Sequence, residues 1–129
     1  MPCPCGSKIK YKNCCQRYHK GARAKDALTL MKSRYSAYAV GEVAYIIKTT
    51  HPDNPDYHDN KKEWRKSIMD FCQKNNFLDL EILSFEEKTP YAFVTFKASL
   101  SSGILHEKSR FIKSGTIWLY LDGEFKTSK

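Results

Sequence analysis

The chain has 129 residues, with 22 Lys+Arg against 14 Asp+Glu for a formal net charge of +8, 41% hydrophobic and 13% aromatic residues. That size suits one ordinary domain with a small appendage, and the composition is too apolar for a disordered tail. No run reaches the roughly 18–20 apolar residues of a membrane-spanning helix, and no apolar signal segment follows the start, so a cytoplasmic, soluble protein is expected.

The charge is concentrated at one end. Residues 1–25 carry Lys8, Lys10, Lys12, Arg17, Lys20, Arg23 and Lys25 with no acid, leaving 15 positives against 14 acids in residues 26–129. The body is nearly neutral, and the excess forms a basic arm suited to partner binding.

Within that arm stand four of the five cysteines: Cys3, Cys5, Cys14 and Cys15. Without an export signal, disulfides are not expected, and Cys-x-Cys lacks the spacing of thioredoxin-like redox sites. Four thiolates suit a closed tetrahedral site with metal–sulfur distances of about 2.3 Å, structural because no position is left for substrate. Zn²⁺ is the expected ion, and the same sulfur set also accepts iron. Gly6 supplies the backbone freedom of a tight loop, and Lys8, Lys10 and Lys12 offset the net negative charge of a tetrathiolate. With the four thiolates ionised on a dication, the arm's charge falls to about +5.

The run Pro2-Cys3-Pro4-Cys5-Gly6-Ser7-Lys8-Ile9-Lys10-Tyr11-Lys12-Asn13-Cys14-Cys15 closely resembles the SEC-C zinc motif. The resemblance implies Cys3, Cys5, Cys14 and Cys15 as metal ligands in residues 1–20, and a protein-docking role with Lys8, Lys10, Tyr11 and Lys12 at the contact. Lys8 stands where a second glycine is common, so the loop is expected to be slightly strained if that position needs a positive φ.

After a basic connector, Asp26 caps a helix with Leu28, Met31, Tyr35 and Tyr38 on one face, ended by Gly41. A short helix covers Glu42–Lys48, and the prolines of His51-Pro52-Asp53-Asn54-Pro55-Asp56 enforce a loop. A third helix is expected from about Asn60 to Asn75 with Trp64, Ile68 and Phe71 inward, and Cys72 on or near that face as a core residue. From Phe77 the period becomes two. Leu78, Leu80 and Ile82 alternate, then Ala92, Val94, Phe96 and Ala98, then Leu105 with Phe111, then Ile117, Leu119 and Leu121. The expected class is α+β: a zinc knuckle, then three helices packed on a curved four-stranded antiparallel sheet, cone-shaped and cystatin-like.

Two strings, Leu30-Met31-Lys32-Ser33-Arg34-Tyr35-Ser36-Ala37-Tyr38 and Leu105-His106-Glu107-Lys108-Ser109-Arg110-Phe111, resemble the YchJ family of bacterial proteins. That resemblance implies a nuclear-transport-factor-two-like cone over residues 26–126. Some members carry a second zinc motif at the C-terminus; none follows here, so bivalent use of two knuckles is not expected.

For the cone, a pocket lined by His106, Arg110 and Arg34 is one expectation, serving an anion or acid–base chemistry of isomerase or dehydratase type. The other, favoured, is a structural ion-pair network of Arg34, Glu107 and Arg110. His51 before Pro52 is expected to cap its loop. The functional expectation is a small metal-binding adaptor whose knuckle docks a protein partner, with the cone structural or ligand-sensing and no specificity for DNA. Its alternative is a ribosome- or RNA-associated factor acting through the basic arm. Because the metal site is taken to be remote from the cone, chelation is expected to unfold the arm and spare the body.

Overall fold

The computed structural model describes residues 1–126. Met1–Lys20 form the knuckle: a 3-10 turn Tyr11–Asn13 and a single-turn helix α1, Gln16–His19. The body follows as α2 (Ala27–Val40), α3 (Val43–Lys48) and α4 (Lys61–Lys74), then strands β1 (Phe77–Lys88), β2 (Tyr91–Leu100), β3 (Gly103–Ser114) and β4 (Ile117–Phe125). The strands pair as an antiparallel meander in the order β1-β2-β3-β4, and the sheet is curved without closing. Among the described residues no helix is long and apolar enough to cross a membrane.

Local chemistry sets the helix ends. Asp26 accepts from the Thr29 backbone N–H at 2.8 Å, satisfying one of the free donors at the start of α2. Gly41 ends the same helix at φ 80, a left-handed conformation that glycine adopts without Cβ strain. Asn60 caps α4 through the Glu63 N–H at 3.2 Å. Both faces of α2 are covered. Met31, Tyr35 and Tyr38 turn toward the sheet and its cavity, whereas the small residues Ser33, Ser36 and Ala37 are wholly buried beneath the knuckle and α3. The helix is therefore buried on two sides and is not amphipathic in the usual one-sided way.

Strand β2 alternates as expected, with Ala92, Val94, Phe96, Ala98 and Leu100 buried against the helices. The two outer strands do not. In β1 a register irregularity between Phe77 and Asp79 turns Leu78 outward, 66% exposed, and leaves Phe77, Leu80 and Ile82 packed on the core. In β4 the core-facing set starts one residue later than the sequence alternation suggests: Trp118 and Tyr120 join the core, while Ile117 is exposed. A bulge opposite Arg110 and Phe111 skips Leu121, which is buried as Asn54 of the proline-rich loop donates to its carbonyl at 2.9 Å. Bulges reset the two-residue period, so alternation alone misassigns the faces of these strands.

That loop is tied to the edge of the sheet. His51 N–H donates to the Tyr120 carbonyl and Tyr120 N–H to the Thr49 carbonyl, both at 2.8 Å. The His51 ring accepts from the Asp53 N–H at 3.0 Å, a loop cap as expected from its place before Pro52.

Candidate functional site

The knuckle builds its donor set from two short backbone devices. Pro2 and Lys10 form an isolated antiparallel bridge, supported by Cys3 N–H donating to the Ile9 carbonyl at 2.8 Å. Between these arms the chain reverses through Gly6 at φ 86 and Lys8 at φ 67. Lys8 is a non-glycine residue in the left-handed region, so the strain anticipated at the departure from the motif is present. The 3-10 turn then returns the chain, and Cys14 and Cys15 arrive just ahead of α1.

The four sulfurs of Cys3, Cys5, Cys14 and Cys15 lie within 4.8 Å of one another, three of the residues buried and Cys14 half-buried. Cys5 and Cys14 Sγ are 3.7 Å apart. A tetrahedron with metal–sulfur bonds of about 2.3 Å has edges of about 3.8 Å, so the spacing fits a tetrathiolate ion. All cysteines among the described residues are free thiols rather than disulfides. The Cys5 thiol is lowered to about 4, chiefly by its hydrogen bond with Cys15 and further by Ser7. Cys15 moves the opposite way, because the proton of that shared bond stays on its sulfur and burial disfavours its charge. Ser7 Oγ lies 3.2 Å from Cys14 Sγ and accepts from the Ile9 N–H, fixing the loop around the sulfur. The cluster could hold a metal ion.

The knuckle is not remote from the body, which corrects the premise that its metal site stands apart. Cys3 Sγ contacts Ser36 Oγ at 3.4 Å, and Cys15 Sγ approaches the Lys32 carbonyl at 3.8 Å. His19, absent from the sequence-level candidates, is the main tie. Its Nε2 donates to the Ser33 carbonyl at 2.8 Å, leaving Nδ1 to accept from the Tyr11 hydroxyl at 2.6 Å. The imidazole also packs on Tyr45, ring centroids 4.8 Å apart. The only sequence signal for this seat was the small-residue stripe Ser33-Ser36-Ala37 on the back of α2. Of the proposed contact residues, Lys8, Lys10 and Lys12 are exposed, whereas Tyr11 is half-buried with its hydroxyl committed to His19.

The cone encloses a second feature, a cavity of about 860 Å³ between α2, α4 and the concave sheet face. β3 runs in unbroken register against β2, which puts Leu105, Glu107, Ser109 and Phe111 inward and His106, Lys108 and Arg110 outward. The expected lining by His106 and Arg110 is therefore not met. Arg110 instead grips Asp122 on the outer face, Nε to Oδ1 at 2.9 Å and Nη2 to Oδ2 at 2.6 Å, and this pairing holds its guanidinium more firmly protonated than usual. His106 pairs across from Lys97 on that same outer side.

Arg34 does line the cavity, but no ion pair joins it to Glu107 or Arg110 among the described residues, so the expected three-way network is also replaced. Its Nη1 donates to the Ile46 carbonyl at 3.0 Å and to the hydroxyls of Thr49 and Thr50 at 2.7 and 3.1 Å, closing the C-terminus of α3. Its guanidinium lies 4.7 Å over the Tyr120 ring. Glu107, 6% exposed, accepts on Oε2 from both Ser109 and the Tyr120 hydroxyl, the latter at 2.9 Å. Burial and the adjoining carboxylate drive the Tyr120 phenol far above its ordinary range, so it stays a donor. Gly123 makes the cluster sterically feasible: a Cβ there would stand 2.6 Å from Glu107 Cδ and 2.8 Å from Tyr120 Oη.

Comparison with known proteins agrees with both halves of this architecture. Residues 26–123 match the family model "YchJ, middle NTF2-like domain", and residues 2–17 match the SEC-C motif. A UPF0225 protein of Streptomyces coelicolor is 38% identical over 128 residues, covering 96% of this chain and 95% of the relative. The solution structure of a SEC-C motif containing protein from Rhodopseudomonas palustris is 32% identical with a TM-score of 0.83, covering 98% of this chain and all of that one. A crystal structure of a SEC-C motif containing protein from Psychrobacter arcticus is 30% identical with a TM-score of 0.80, covering 100% of this chain and 85% of that one. With its cysteine cluster seated on an NTF2-like cone, the chain belongs to the YchJ family.

Proposed function

We propose that the knuckle holds one Zn²⁺ through Cys3, Cys5, Cys14 and Cys15, and that the metal-ordered loop docks a protein partner for which this chain is an adaptor. The observation that carries the metal reading is the convergence of four sulfurs within 4.8 Å, in buried surroundings, at a separation suited to tetrathiolate ligation. A closed ligand set assigns the ion a structural role, shaping the loop whose outer rim presents Lys8, Lys10 and Lys12. Those ammonium groups favour an acidic surface on the partner. A reducing cytoplasm is the setting in which such thiolates stay available to metal.

Metal content of the purified chain tests the first half. One zinc per chain is expected, lost when Cys14 and Cys15 are both changed to Ser; iron at the same stoichiometry would reassign the ion, and substoichiometric metal unaffected by the change would refute the site. For docking, affinity capture after nuclease treatment should retain a partner with the native chain and lose it with the double cysteine variant.

A second reading rests on the same rim, since Lys8, Lys10 and Lys12 are exposed and make no salt bridge among the described residues. Such groups suit phosphate contacts on ribosomal RNA. Co-sedimentation with ribosomes that falls steeply with salt, and with all three lysines changed to Ala, would favour it over the protein partner.

A further inference from the structure

Glu107 is a carboxylate sunk in an aromatic cavity, and only one of its two oxygens is used. Ser109 and Tyr120 both donate to Oε2, while Oε1 has no hydrogen-bond partner among the described residues, and Glu107 belongs to the cavity lining. Among the described residues no cation pairs with Glu107, because Arg34 directs its hydrogen bonds through Nη1 to the end of α3. Among the described residues no fully enclosed side-chain oxygen is left unsatisfied, so Oε1 reaches accessible space and is free to accept a donor there.

The charge of the lining points the same way. Glu107 stands deep in the cavity and Asp56 and Glu63 at exposed positions of its wall, against the single fixed cation Arg34. Asp56, Glu63 and Glu107 against Arg34 give the lining's acids and guanidinium a formal sum of about −2, with the Lys61 ammonium beside it over the Tyr57 and Trp64 rings. Around Glu107, where no ammonium or guanidinium pairs with the carboxylate among the described residues, a cation is favoured over an anion. Tyr38, Trp64, Phe71 and Phe77 supply aromatic surface, Tyr38 edge-to-face with Phe71 and stacked with Phe77. Aromatic faces attract ammonium groups and pack flat apolar bodies.

We propose that the cone cavity binds a small organic cation with an aromatic body, its ammonium donating to Glu107 Oε1 and its ring seated among Tyr38, Phe71 and Phe77. Arg34 holds the floor of the site by keeping Tyr120 in place over its guanidinium, and Gly123 leaves room for the Glu107–Tyr120 contact. The site is independent of the metal reading, since none of these residues belongs to the knuckle.

The test is titration of the metal-loaded full chain near neutral pH with tryptamine, phenethylamine and benzylamine, each against its carboxylate counterpart such as indole-3-acetate. Amide chemical shifts and calorimetry are followed together. At least one amine should shift resonances of β3 and α2 around Glu107 and Tyr38 and bind about tenfold or more tightly than its carboxylate counterpart. Glu107→Gln should abolish that preference. Should Glu107→Gln not fold, Asp56→Asn with Glu63→Gln, both at exposed positions, should weaken amine binding severalfold and flatten its salt dependence. Carboxylates binding as well as amines, amines binding outside the cavity, or no shift from any of the three amines at millimolar concentration would each overturn the proposal.

Discussion

Removing the proposed metal from the knuckle should lower the melting temperature of the whole protein, because the knuckle is seated on α2 rather than tethered to it. The perturbation is a strong chelator added to the full chain, or Cys14→Ser. The links at risk are the His19–Ser33 bond at 2.8 Å, the Tyr11–His19 bond at 2.6 Å and the packing of the imidazole on Tyr45. Two ordinary hydrogen bonds at about 1 kcal/mol each, with roughly 0.5–1 kcal/mol for the ring contact, amount to about 3 kcal/mol. An unfolding entropy of about 2.1 cal/mol/K per residue converts that to a fall of about 10 °C for a chain of this length. The sulfur contacts to Ser36 and Lys32 add to the loss. Calorimetry of metal-loaded and chelated protein should show one transition moving down as a unit. A body transition that stays within about 1 °C of its metal-loaded value, with only the knuckle signal lost, would refute the coupling and restore an independent arm.

Three other outcomes follow from particular residues. Gly123→Ala should destabilise the body by about 1–3 kcal/mol in urea unfolding, because its Cβ meets the Glu107 carboxyl and Tyr120 hydroxyl in a packed interior. Lys8→Gly should relieve the left-handed backbone at φ 67 and strengthen metal retention by up to about 1 kcal/mol, or about fivefold in a chelator competition, although one rim cation is lost. Burial, as the first cause, pushes Tyr11 and Tyr35 to about 12, above the ordinary value of 10.0, so both are held protonated in the fold. Their contribution to stability is intact below pH 10 and lost as pH rises from 10 towards 12. Tyrosinate absorbance should therefore lag behind that of exposed tyrosines while stability declines over the same window.

The readable parts of this protein are those whose chemistry is local in the chain. Cys3, Cys5, Cys14 and Cys15 fall within thirteen residues, so a ligand set is visible without knowing any long-range contact. The cap Asp26 and the terminator Gly41 act on backbone groups within a few positions and occupy their anticipated places, and Asn60, the anticipated start of α4, proves to be its cap. Strand β2 is the central-sheet case, its alternation undisturbed from Tyr91 to Leu100. His51 satisfies a backbone donor two residues away, again a local event.

What depended on distant partners was hidden. A bulge at Leu78 and another at Leu121 changed which side chains face the helices, and such slips are set by pairing with the neighbouring strand. The β3 string presented two polar faces, and its sequence contains no term that chooses between them. The register against β2 and the helices above decided that Glu107 and Ser109 go inside, where Tyr120 from the next strand and the space left by Gly123 receive them. His106 and Arg110 then fall outside, with Asp122 to pair Arg110. Ser33 and Ser36 look like unremarkable helix positions until His19 and Cys3 arrive on them from the knuckle. The sequence by itself determined the cysteine cluster, the helix limits and the α+β order, because these rest on spacing and capping along the chain. Only the tertiary structure decided which polar groups are enclosed and that the basic tip is anchored to the cone. Burial and hydrogen-bond satisfaction belong to surfaces that meet from separate parts of the chain.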